Sequence, residues 1–188
     1  FISASAIGIY SSEGTHTEES TGYSASYLAE VCRQWEQAAS LSGSSTRTVI
    51  FRTGVVLGKN GGALEKMEKP FSLGLGGKLG SGEQSFSFIH LHDLINAFVF
   101  AIKNDQISGI VNAVSPYPTT NLEFTEKMGR VFGQPAFFRV PAFALKLAYG
   151  EGAQVLLEGQ RVLPDKLLKS GFRFQFPTIQ NALLDIFS

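Results

Sequence analysis

Thr48-Val49-Ile50-Phe51-Arg52-Thr53-Gly54 begins β-branched and apolar and ends polar at a glycine. An apolar run this short, without alternation, is what a strand covered on both faces requires, and such strands belong to parallel sheets. Working outward, Leu28, Val31, Trp35 and Ala38 recur at steps of three and four, which predicts a preceding helix with these residues on its apolar face. Ser26 is its expected N-cap, and Glu30, Arg33, Gln34 and Gln37 stay in water. Earlier still, Ser11 to Ser26 is rich in Gly, Ser and Thr and reads as a surface loop. Phe1 to Tyr10 reads as a buried strand entered part-way along, with neither an initiator Met nor the basic region of a signal peptide.

Downstream, a short helix is expected around Ala63 to Phe71, followed by an irregular loop where Gly74 to Gly82 places five glycines in nine residues. Phe86 to His90 looks extended. Leu91, Leu94, Ile95, Phe98, Val99 and Ile102 then mark an amphipathic helix with Asp93 stabilising its first turn and a stop near Asn104. Ile110 to Ala113 is a further strand, and Asn121 is expected to cap a helix reaching about Phe132. Alternation of this kind is α/β. Beyond Pro141 come short helices, 142–149 and 164–170, then Phe172 to Phe176 and a last helix from Thr178. We therefore divide the chain into a sheet domain, residues 1–138 with insertions at about 59–90, and a small, mainly helical lobe, 139–188.

Sixteen basic and sixteen acidic residues balance without a basic stripe, which argues against nucleic acid or an anionic membrane as partner and leaves a small molecule. No stretch approaches the roughly 20 apolar residues of a membrane span. One cysteine, Cys32, forms no internal disulfide and suits the cytoplasm; it reads as a buried small residue. No Cys/His cluster points to a metal.

Four stretches carry a resemblance. Ser3-Ala4-Ser5-Ala6-Ile7-Gly8-Ile9-Tyr10, the helix ending Trp35-Glu36, Arg52-Thr53-Gly54-Val55-Val56-Leu57-Gly58 and Phe88-Ile89-His90-Leu91-His92-Asp93-Leu94 together resemble extended and atypical short-chain dehydrogenase/reductases. Pro70 to Gln84 and Leu156 to Pro164 resemble its epimerase-family branch, the sugar-nucleotide-epimerase-like proteins also described as cell-division inhibitors. The resemblance covers essentially the whole chain and implies the C-terminal part of a Rossmann-like, mostly parallel sheet with a small helical lobe. It also implies a cytoplasmic or organellar protein that binds NADP, with NAD as the alternative. Such proteins hold the pyrophosphate on a glycine-rich turn between a first strand and a helix. The glycines of 74–82 do not follow a βα turn of that spacing, so that element is expected outside these residues.

By the same resemblance, Ser5 corresponds to the family's catalytic serine or threonine, and Ser5, Ala6, Thr53, Gly54, Val55 and Val56 would line the nicotinamide. The plain alternative is that these are ordinary strand ends. The family's proton donor is a tyrosine with a lysine four residues on. Here Tyr23 is followed at that position by Tyr27, and Tyr27 by Val31, while anchoring on Glu36 puts the pair at Leu28 and Cys32. Tyr23 and Tyr27 are the candidate donors. Phe86 stands where nucleotide-sugar epimerases place a phosphate-gripping arginine, which argues against a nucleotide sugar. His90 and His92 read as structural hydrogen-bonding groups, and Arg52 either serves the site or pairs with a carboxylate in the core. The sequence thus leaves an NADP-dependent oxidoreductase or epimerase-like protein of unknown small substrate beside a catalytically silent NADP-binding sensor or scaffold, in an unassigned oligomeric state.

Overall fold

The computed structural model describes residues 1–40, 45–59 and 61–188. In chain order its elements are β1 (Ile2–Ala6), β2 (Thr15–His16), α1 (Tyr27–Ser40), β3 (Val49–Thr53), β4 (Val55–Leu57), α2 (Gly62–Ser72), β5 (Gly77–Leu79), β6 (Ser85–Phe86), β7 (Phe88–His90) and α3 (Leu91–Lys103). They continue as β8 (Gly109–Ala113), β9 (Thr119–Thr120), α4 (Asn121–Val131), β10 (Phe138–Val140), α5 (Ala142–Tyr149), α6 (Ala153–Leu157), β11 (Arg161–Val162), α7 (Asp165–Lys169) and α8 (Ile179–Phe187). The architecture is α/β and Rossmann-like.

Strands β1, β3 and β8 form a three-stranded parallel sheet with β3 at its centre. Because side chains alternate along a strand, this sheet has two unlike faces. Val49 and Phe51 on β3, with Val111 and Ala113 on β8, pack under Leu94, Ala97 and Ala101 of α3 in one dry cluster. The opposite face carries Ser5, Arg52 and Asn112, which the register places side by side across all three strands, under α1. The outer edge of β8 does not lie bare. The Asn112 N–H donates to Glu18, whose same oxygen receives the Lys166 N–H, so one loop carboxylate covers the edge and docks α7. Arg47 closes the other end of α3 by donating to the carbonyls of Ala101 and Ile107.

Three local expectations change. Helix α1 rests on the sheet through Ala29, Cys32 and Ala39, while Trp35 is 56% exposed, so its bulky apolar stripe faces away from the sheet. Small residues let the helix approach closely; periodicity reports that a face is apolar, not which face is covered. The glycine-rich stretch is ordered: Gly77–Leu79 pairs in parallel with Phe138–Val140, and at Gly77 a Cβ would collide with the Phe138 backbone. Asn121 does not cap α4. Thr120 accepts the Glu123 N–H in that role, and Asn121 accepts from the Leu79 N–H at 2.9 Å, tying the glycine stretch to the helix.

The lobe is stitched on by side chains. Asp93 is buried and accepts the backbone N–H groups of Gln175 (2.8 Å) and Phe176 (2.9 Å), so beyond its place in the first turn of α3 it is a tie to the chain that leads into α8. His90 caps α3 by accepting from the His92 N–H, and its ring packs at a tilt against Phe176 with centroids 4.1 Å apart. The motif Phe88 to Leu94 is therefore a clasp between sheet and lobe.

Candidate active site

Polarity concentrates where β1 and β3 end. Arg52, 2% exposed, donates through Nε and Nη2 to the two oxygens of Glu36 at 2.8 and 2.7 Å, a bidentate pair reaching from the sheet to α1. Ser5 Oγ donates to the same Glu36 Oε1 at 2.8 Å. The guanidinium lies over two rings, 4.8 Å from the Tyr10 centroid and 5.4 Å from that of Tyr23. Burial works against the charge on Arg52, but Glu36, Tyr10 and Tyr23 outweigh it and hold its pKa above the ordinary value. Tyr10 is fully enclosed and donates to Asn112 Oδ1 at 2.9 Å; burial pushes its phenol up, with Arg52 pulling the other way. One network thus joins Ser5, Glu36, Arg52, Tyr10 and Asn112.

The two tyrosine candidates separate. Tyr23 is 43% exposed, bridges to Tyr10 by backbone and stacks beside its ring, so a solvent-facing phenol borders the cation. Tyr27 opens α1 with 84% of its surface in solvent and has no part in this network. Sequence reasoning gave Ser5, Tyr23 and Arg52 a place at the site but assigned no role to Glu36 or Tyr10; the signal for Glu36 was its i, i+4 relation to Cys32 on the small-residue face of the helix.

Ser5-Ala6 and Thr53-Gly54 sit together at the carboxyl ends of adjacent parallel strands, Ala6 in register with Thr53. That end of an α/β sheet is where ligands bind. Gly54 leaves no room for a side chain, since a Cβ would stand 2.7 Å from the Ser87 carbonyl oxygen and 2.9 Å from Val114. Val55 and Val56 follow in β4, parallel to β7 and half-buried. Gly74, Gly77 and Gly80 stand three apart, yet they follow helix α2 and enter β5, so they do not make the strand-turn-helix cradle that holds a pyrophosphate. Phe86 stacks on Phe124 at 4.4 Å and packs against a hydrophobic cluster that includes Leu57, Phe88 and Leu183.

The mouse epimerase family protein SDR39U1 is 42% identical over 172 residues, covering 91% of this chain and 59% of that protein. Over these residues the chain is similar to epimerase family proteins. The chloroplastic Arabidopsis thaliana homologue of SDR39U1 is 43% identical, covering 97% of this chain and 53% of that protein. A crystal structure of human SDR39U1 with NADPH superposes with a TM-score of 0.94 at 38% identity, over 98% of this chain and 64% of that one. Residues 140–186 match the family described as a domain of unknown function, DUF1731, which forms the C-terminal domain of the epimerase family. A UDP-N-acetylglucosamine 4-epimerase from Bacillus cereus, 15% identical with a TM-score of 0.77, shares the fold. The chain spans about six-tenths of the length of these epimerase-family relatives.

Proposed function

We propose that this protein binds NADP and belongs to an oxidoreductase or epimerase-like enzyme acting on an unidentified small molecule. The observation that carries the reading is the gathering of Ser5, Ala6, Thr53 and Gly54 at the carboxyl ends of two adjacent parallel strands, in a chain whose human relative was crystallised with NADPH. Residues 1–138 would supply the nicotinamide-side wall, and the lobe of 139–188 the facing wall of a substrate cleft. Bound NADP would supply the hydride chemistry. Thr53, Gly54, Val55 and Val56 would hold the nicotinamide through backbone groups, and Ser5 would orient the reacting end of the ligand. Tyr23 is the candidate proton donor: it is exposed to a ligand and lies beside a fixed cation, which favours the negative charge left on a phenol that gives up its proton. NAD is the alternative cofactor. Among the described residues no helix is long and apolar enough to cross a membrane.

Two observations favour a second reading. The charge of Arg52 is already matched by Glu36, and Tyr27 stands in solvent where a lysine is expected, which suits a cofactor-binding sensor without turnover. Titration of the full-length protein with NADPH, together with NADPH oxidation across a panel of carbonyl compounds, decides between them. Turnover that falls at least about tenfold in Tyr23→Phe supports the enzyme. Tight binding without turnover supports the sensor, and no binding at all overturns both. For the 188 residues alone we expect binding weaker than micromolar, because the described residues include no pyrophosphate cradle.

A further inference from the structure

The Ser5 hydroxyl has one proton and two lone pairs, and Glu36 decides how they are used. Bidentate contact with Arg52, at 2.8 and 2.7 Å, makes Glu36 a carboxylate, which accepts hydrogen bonds and donates none. The contact of 2.8 Å between Ser5 Oγ and Glu36 Oε1 therefore has a fixed direction, with Ser5 donating. The proton of Ser5 is committed, and what Oγ has left to offer is acceptor capacity. A serine that steadies a carbonyl oxygen must donate to it; this one is arranged not to.

We propose that Ser5 meets its ligand as a hydrogen-bond acceptor, so that the group it recognises is a donor, a hydroxyl or an amide N–H, and that Glu36 is the positioning residue that sets this polarity. The proposal rests on the reading above that Ser5 borders the nicotinamide and substrate. Two sources share the donor chemistry: the carboxamide of the cofactor and a hydroxyl of the substrate. In either case the site prefers the alcohol form of a ligand to its ketone, or the carboxamide to an isosteric ketone. Ser5 is 6% exposed, so the donor must reach a nearly enclosed oxygen, where a missing partner is costly and selection between donor and acceptor is correspondingly sharp.

The test has two parts, both on the full-length protein. Without ligand, NMR of selectively labelled protein is expected to show a slowly exchanging Ser5 hydroxyl proton coupled across the hydrogen bond to the Glu36 carboxylate carbon; a hydroxyl in rapid exchange with water overturns the proposal. With ligands, NADP+ is titrated beside its 3-acetylpyridine analogue, in which a methyl group replaces the amide NH2, and glycerol beside dihydroxyacetone. If the carboxamide is the donor, Ser5→Ala weakens NADP+ about tenfold and leaves the analogue unchanged, and Ser5→Thr restores the difference. If a substrate hydroxyl is the donor, the cofactor ratio stays put and Ser5→Ala instead abolishes a preference for glycerol over dihydroxyacetone. A wild-type preference for the ketone that vanishes in Ser5→Ala, or two ratios that do not respond to Ser5 at all, overturns the proposal. Failure of the wild type to bind NADP+ refutes the cofactor reading separately, because the hydroxyl proton and the alcohol-to-ketone ratio are measured without cofactor.

Discussion

The two faces of the central sheet solve the same packing problem in opposite ways. Under α3 the contact is hydrocarbon throughout, with Val49, Phe51, Val111 and Ala113 against Leu94, Ala97 and Ala101. Under α1 the row is Ser5, Arg52 and Asn112, and a glutamate sits where a leucine would otherwise complete the helix face. A buried ion pair is not a source of stability in itself, since desolvation cancels much of its Coulombic gain. A fold that spends half its sheet on such a pair is holding polar groups in place, and Ser5 is the group so held.

Substitutions break or sharpen this contrast. The largest effects come from the two faces themselves: Glu36→Ala strands the Arg52 charge and should cost about 3–5 kcal/mol, while Glu36→Leu with Arg52→Met should recover most of it. Urea denaturation of the three proteins checks this; a double variant as unstable as the single one would show that the polar face cannot be replaced by packing. On the dry face, Phe51→Ala removes a fully buried ring and should cost about 3–5 kcal/mol, with no partner substitution able to restore it. At the sheet's end, Gly54→Ala presses a methyl on the Ser87 carbonyl and Val114 and should lower stability by about 1–3 kcal/mol, measured by thermal melting. A neutral result there would mean that β3 and β4 slide apart easily.

The smallest expected effect is pH-dependent. Burial depresses the pKa of His90; Asp185 and Asp93 oppose this and His92 adds to it. A depressed folded pKa means fewer protons bound in the native state, so this contribution is present above the unfolded value of about 6.5 and is lost as pH falls from there through the lower folded value. His90→Asn keeps an acceptor for the His92 N–H and is expected to lose less melting temperature than the wild type between about pH 7.5 and pH 5.5. Equal losses would remove His90 from the account.

The strands at 49–53 and 109–113 and the helices α3, α4 and α8 were legible because short apolar runs and long periodic ones report local preference directly. The covered face of α1 was not, because Leu28, Val31 and Trp35 make the stronger apolar stripe while the sheet takes Ala29, Cys32 and Ala39. Strand β5 was hidden for another reason: its pairing partner, Phe138–Val140, lies far along the chain, and glycine carries no strand signal of its own. At the site, family likeness proposed Ser5, Ala6 and Thr53 to Val56, and the structure shows Ser5-Ala6 and Thr53 ending adjacent parallel strands. The carboxylate partner of Arg52 was one of two alternatives, and only the three-dimensional arrangement names it as Glu36.

The Asp93 carboxylate also sets how the molecule breathes. The amides of Gln175 and Phe176 are held by a side chain on α3, 82 and 83 residues away in sequence. Their exchange with solvent deuterium is therefore gated by loss of that carboxylate, not by fraying of their own segment. Lobe and sheet should open as one cooperative unit, and Asp93→Asn should divide it in two.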